Sequence, residues 1–157
     1  MTKVPCSRLL RKGRVSIPGQ VYLLTAVTVG RRRYFEDFWL GCAASAALAH
    51  GSAWPGASLL AWVLMPDHLH VLVQSDGREA ISLTMGRAKA LMSAAVHRVG
   101  EPARLWQPGF HDHALRTEES VREAARYLVA NPIRAGLAAR VGDYPFWDSA
   151  WLEHSLG

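Results

Sequence analysis

Trp62-Val63-Leu64-Met65-Pro66-Asp67-His68-Leu69-His70-Val71-Leu72-Val73 decides how the rest of this chain is read. Two apolar, β-prone runs meet at Pro66-Asp67, a dipeptide that favours a tight turn. The stretch therefore predicts a hairpin of strands over 59–65 and 68–74. Side chains two apart on a strand share a face, so His68 and His70 project together while Leu69, Val71 and Val73 project to the other side. Two imidazoles side by side on a rigid strand make half of a metal site. The same spacing also serves a plain pair of surface or hydrogen-bonded histidines, and the surroundings must decide between the two.

Outward from the hairpin, Pro18-Gly19 is a turn signal and residues 20–29, rich in Val, Leu, Thr and Tyr, predict a strand broken by Gly30 and three arginines. Residues 35–50, with acids early and many alanines, predict a helix. A second helix is expected over 79–99, ended by Gly100 and Pro102. A weak strand follows over 110–116, and then a third helix that Thr117 caps, with Glu118 and Glu119 in its first turn. Asn131-Pro132 disturbs that helix near Ala130. The remainder reads as a polar tail in which Trp147 and Trp151 serve as core anchors. The order β-α-β-β-α-β, then helix, predicts an α+β, ferredoxin-like antiparallel sheet with two helices on one face, an added C-terminal helix, and the histidine strand in a central position.

A chain of 157 residues, half apolar and a fifth charged, suits one domain with a real core. We expect a basic arm over 1–16, the domain over 17–152 and a short tail over 153–157. No apolar run reaches the roughly 18 residues of a membrane span. Cys6 and Cys42, in unrelated contexts, suit reduced thiols and a cytoplasmic setting. The net charge of +5 is one-sided: no acid precedes Glu36, while Lys3, Arg8, Arg11, Lys12, Arg14, Arg31, Arg32 and Arg33 all do. Such a segment is an electrostatic footprint for a polyanion, most plausibly nucleic acid, or else a solvated arm.

A divalent site needs more than two histidines. The third helix offers Tyr127 and Asn131, four residues apart and so on one helical face. An amide oxygen suits a hard cation, and open positions on that cation would suit phosphate oxygens. A tyrosine beside it could act as a nucleophile on phosphorus. Each residue also has an ordinary reading, Tyr127 as a packing residue with a wet hydroxyl and Asn131 as a helix terminator before proline.

The combination resembles a known family. Met65-Pro66-Asp67-His68-Leu69-His70-Val71-Leu72-Val73 is similar to the His-hydrophobic-His motif of single-tyrosine HUH transposases. Trp106-Gln107-Pro108-Gly109-Phe110-His111-Asp112-His113 is similar to their W-Q-x-G-[FY]-x-D block. Tyr127-Leu128-Val129-Ala130-Asn131-Pro132-Ile133-Arg134-Ala135-Gly136-Leu137 resembles the Y-I-x-x-N-P-x-R-A-G-L block of the REP-associated tyrosine transposases, within the insertion-sequence 200-like group. The likeness spans about residues 17–152. It implies a metal-dependent endonuclease and strand-transferase acting on single-stranded DNA at REP-like palindromic hairpins, with Tyr127 forming a 5′-phosphotyrosine. It implies Mg²⁺ or Mn²⁺ on His68, His70 and Asn131, DNA contacts from the arginine-rich N-terminal region, and a monomer rather than a dimer.

Some residues depart from the pattern. The first strand reads Val21-Tyr22-Leu23-Leu24-Thr25 where members often carry Tyr-His, and Lys89 matches a commonly basic position but reads as a solvated helix lysine. Trp106 has two open roles, stacking on a base or filling a gap between loop and sheet. Arg134 could hold a phosphate or cap the helix end. His111 and His113 form a second H-x-H, on a strand expected beside the first one, and are read as DNA-contacting or structural rather than metal-binding. The rival to the enzyme is a non-catalytic hairpin-binding module. A structural zinc site would lack cysteine partners at ligand spacing.

Overall fold

The hairpin forms as β2 (Ala57–Met65) and β3 (His68–Ser75), joined through Pro66-Asp67, in a computed structural model that describes residues 17–100 and 104–151. The first strand, β1 (Val21–Val27), pairs antiparallel with β3, and β4 (His111–Leu115) pairs with the far side of β1. A fifth strand, β5 (Trp147–Ser149), pairs with the outer edge of β2, giving the order β4-β1-β3-β2-β5. The predicted ferredoxin-like arrangement is therefore present, with β3 at its centre.

The added β5 corrects the reading of residues 141–151 as a polar tail. Phe146 is buried, its carbonyl accepts from the Leu64 amide at 2.9 Å, and its ring lies where a Cβ on Gly41 would sit at 2.3 Å. The tail is thus latched to the first helix by an aromatic ring that only a glycine leaves room for. Trp147 and Trp151 pack against the core, as anchors.

Helix α1 (Phe38–Ala49) starts later than expected, because residues 34–36 form a 3₁₀ turn and Asp37 is the cap, accepting from the amides of Trp39 and Leu40. Helix α2 (Ile81–Arg98) packs along α1. The sheet face of Leu24, Ala26, Leu69, Val71 and Val73 is fully buried, as strand alternation demands of a covered face.

Helix α3 (Glu118–Val129) is capped by Thr117, whose hydroxyl accepts from the Ser120 amide at 3.1 Å. It buries Val121, Ala125 and Leu128 and packs on β2, β3 and β5. The chain then passes through Ala130 into a separate four-residue helix, α4 (Asn131–Arg134), because Pro132 has no amide hydrogen with which to continue α3. Tyr127 and Asn131 therefore stand on two adjoining helical pieces rather than on one uninterrupted helix. The expected basic arm, with Arg8, Arg11, Lys12 and Arg14, lies outside the described residues. Among the described residues, no helix is long and apolar enough to cross a membrane.

Candidate nucleic-acid and metal site

The strand period puts His68 and His70 on the sheet face opposite the buried aliphatic one, with ring centroids 4.8 Å apart and rings nearly perpendicular. Each ring is fixed through Nδ1. His68 Nδ1 lies 2.7 Å from Asp67 Oδ1, and His70 Nδ1 lies 2.8 Å from the Thr25 hydroxyl, which the register places directly across from it on β1. An ionised carboxylate only accepts, so His68 Nδ1 is the donor in this hydrogen bond and Nε2 faces away from it. Such outer partners set the tautomer and orientation of ligating histidines. In the sequence Asp67 reads as a turn residue and Thr25 as a strand residue, and neither as part of a site. Asp67 could have been found as the acid beside His68, but Thr25 becomes visible only with the strand register.

Burial, with smaller contributions from the neighbouring His68 ring and the Arg134 charge, pushes the His70 imidazole down to about 4, so it is neutral at physiological pH. A neutral imidazole is the form that binds a cation. Burial raises the Asp67 carboxyl, but the hydrogen bonds and charges of His68 and Arg31 more than offset this and hold it below the usual carboxylate range. Among the described residues, no three His, Cys, Asp or Glu side chains cluster closely enough to hold a metal ion. The donor set here is two imidazoles with free Nε2 atoms. Asn131, half-buried at the start of α4, offers an amide oxygen beyond that set. This suits a cation that keeps open positions for oxygen ligands, not a closed structural site.

Tyr127 is 67% exposed on α3. The Arg134 guanidinium carbon sits 3.7 Å above its ring centroid, and Arg134 Nη2 donates to the Tyr127 carbonyl at 2.7 Å. Helix α3 packs on β2 and β3 and α4 on β2, so the segment carrying Tyr127 lies against the histidine strand and its neighbour. Of the two roles left open for Arg134, it takes the capping one, on a carbonyl inside α3.

The second histidine pair occupies the same sheet face. Thr25 faces His70 on one side and His111 on the other, and Leu23 likewise lies between Leu72 and His113. Both edge histidines are exposed. Gly30 and Arg31, both at positive φ (62° and 51°), turn the chain sharply after β1 and project the three arginines. Arg31 Nε reaches Asp67 Oδ2 at 3.4 Å, Arg33 pairs with Glu36, and Arg32 is exposed.

Two readings need correction. Trp106, expected either to stack on a DNA base or to fill a gap, is only 7% exposed. Its indole donates to the Lys89 carbonyl at 3.2 Å and its ring meets Phe35 at 5.9 Å. It fills the gap between loop and sheet and has no face free for a base. Lys89 is not a solvated helix lysine: its amine donates to the carbonyls of Gln107 and Gly109 at 2.9 and 2.7 Å, and burial lowers its pKa. It ties α2 to the loop that leads into β4.

Residues 19–131 match the family described as Transposase IS200 like. A REP-associated tyrosine transposase of Escherichia coli (strain K12) is 31% identical over 87 residues, which is 55% of this chain; the chain spans about half (50%) of that relative's length. Among solved structures, a REP-associated tyrosine transposase bound to a REP hairpin superposes with a TM-score of 0.69 at 24% identity, over 91% of this chain and 82% of the other. A crystal structure from Deinococcus radiodurans, assigned to a transposase, gives 0.50 at 20% identity over 76% and 95%. At these identities the two structures speak to the fold, and the family follows from the match over most of the chain's length: this protein belongs to the IS200-like transposases.

Proposed function

We propose that this protein cleaves and rejoins single-stranded DNA at the foot of REP-like palindromic hairpins, with Tyr127 as nucleophile and a divalent cation, Mg²⁺ or Mn²⁺, held by His68, His70 and Asn131. The observation that carries this reading is the pair of imidazoles fixed through Nδ1 on one sheet face, bordered by the segment that presents an exposed tyrosine. The relative solved with a REP hairpin supports the choice of substrate.

When bound, the cation would polarise the scissile phosphodiester as a Lewis acid. Tyr127 gives up its phenolic proton and its oxygen bonds to phosphorus. The P–O3′ bond breaks, and the departing 3′ oxygen takes up a proton. The result is a 5′-phosphotyrosine and a free 3′-hydroxyl, and attack by a 3′-hydroxyl reverses the step. His68 and His70 do no nucleophilic work; they hold the charge in place. Arg31, Arg32, Arg33, His111 and His113 line the route of the strand, joined by Arg8, Arg11, Lys12 and Arg14 of the arm. Contacts of this kind weaken steeply as salt rises. The protein acts as a monomer in the cytoplasm, where its DNA substrate lies. The competing reading is a module that binds hairpins without cutting, and the exposed tyrosine beside two oriented imidazoles favours the enzyme.

The test uses labelled single strands containing REP-like hairpins, with Mg²⁺ or Mn²⁺. A protein–DNA adduct that withstands denaturant and disappears in Tyr127→Phe is expected. An adduct that persists in Tyr127→Phe removes the nucleophile assignment, and tight binding with no adduct favours the module.

A further inference from the structure

An exposed tyrosine on a helix surface is free to swing, which is a poor property for a nucleophile that must meet a phosphorus atom in line. A misplacement of about 1 Å can cost a hundredfold in rate. Tyr127 is held by one neighbour. Arg134 stacks its guanidinium 3.7 Å over the ring while its Nη2 is anchored to the Tyr127 backbone carbonyl at 2.7 Å. The residues lie seven apart, too far along a straight helix for a casual contact. The turn at Ala130 and Pro132 and the short α4 bring Arg134 back over the end of α3, and Gly136, at φ 74°, ends the turn beyond it. One donor of the fork is fixed on the main chain and one face is against the ring, so the clamp is referenced to the helix itself. The rest of the Arg134 side chain is exposed.

We infer that Arg134 is the positioning residue for Tyr127, its planar guanidinium fixing the ring so that the hydroxyl is presented to the phosphate bound beside the histidines. The proposal rests on Tyr127 being the nucleophile. A planar, always-charged fork is needed for this. Lysine supplies the charge but neither the flat face nor the two-point geometry. The substitution Arg134→Lys is therefore not conservative at this site.

Single-turnover adduct formation is measured with the wild-type protein, Tyr127→Phe, Arg134→Lys and Arg134→Gln, on a hairpin-bearing single strand with Mn²⁺. DNA affinity and Mn²⁺ affinity are measured in parallel, and the aromatic signals of ¹³C-labelled tyrosine are recorded by NMR. The expected result is a fall of about 10- to 100-fold in adduct rate for both Arg134 variants, with DNA and Mn²⁺ affinities within about twofold of wild type and a displaced Tyr127 ring signal. A Tyr127-dependent adduct formed at wild-type rate in both variants overturns the role of Arg134 and leaves the nucleophile standing. Equal losses of rate and DNA affinity also overturn it, since that pattern marks an ordinary phosphate contact. A wild-type protein that forms no adduct, or one that Tyr127→Phe preserves, overturns both. Full rate in Arg134→Lys with loss in Arg134→Gln replaces the planar clamp with charge alone.

Discussion

The two H-x-H pairs share a spacing and a sheet face, yet the fold treats them differently. His68 and His70 stand on the central strand, partly covered, each ring pinned through Nδ1 by an oxygen from a neighbouring residue. His111 and His113 stand on the edge strand, both exposed, with no ring hydrogen bond among the described residues. A motif of two histidines fixes only which way the side chains point. Whether they can hold an ion depends on what grips the nitrogens that face away from it. The edge pair has the reach to touch a passing strand but not the rigidity to define a coordination geometry.

The comparison can be broken or sharpened by substitution. The largest effect is expected at the central pair: His70→Ala should lower the rate of metal-dependent adduct formation by at least about a hundredfold, even at saturating DNA, as loss of a metal ligand typically does. A near-normal rate in that variant would dissolve the distinction between the pairs. An intermediate effect is expected one layer out. Removing the carboxylate that orients His68, in Asp67→Ala, should weaken Mn²⁺ binding by about 10- to 100-fold, read by calorimetry, while the domain stays folded. Unchanged affinity would mean that the hydrogen bond to Asp67 does not orient the ligand. The smallest effect is expected at the edge. His113→Ala should leave the adduct rate at saturating DNA unchanged and weaken binding of the single strand by about two- to fivefold, within the range of one solvent-exposed contact. A collapse of the rate instead would promote the edge pair to a part of the reaction centre.

Much of this architecture is legible in the sequence because it is written in short-range periodicity. The hairpin shows itself by apolar runs around Pro66-Asp67, and β3 follows as the central strand from element order alone. What is illegible depends on contacts between distant residues. β5 has three residues and no pattern of its own; it exists because Phe146 fits against Gly41 and bonds to Leu64. Trp106 looks like a stacking platform until Phe35 and the Lys89 carbonyl close over it. Thr25 is an ordinary strand residue until the register sets it against His70. Arg134 sits in a block whose sequence suggests a helix end, and only the turn at Ala130 and Pro132 shows that its target is the tyrosine seven residues back.

The strand β5 has a consequence for how copies of this chain behave in a crowded solution. An unpaired strand edge offers a row of amides and carbonyls on which another sheet can grow, and long, flat edges carry the greatest hazard. Here the three longest strands, of seven, eight and nine residues, are all interior, and the flanking strands have only five and three. The three-residue β5 pairs with Ala61, Trp62 and Val63, so this stretch of the longest strand is not left as a bare outer edge. Substituting Gly41 would do more than crowd a ring: by displacing Phe146 it would uncover the Ala61–Val63 stretch of β2 as an edge on which another sheet could pair.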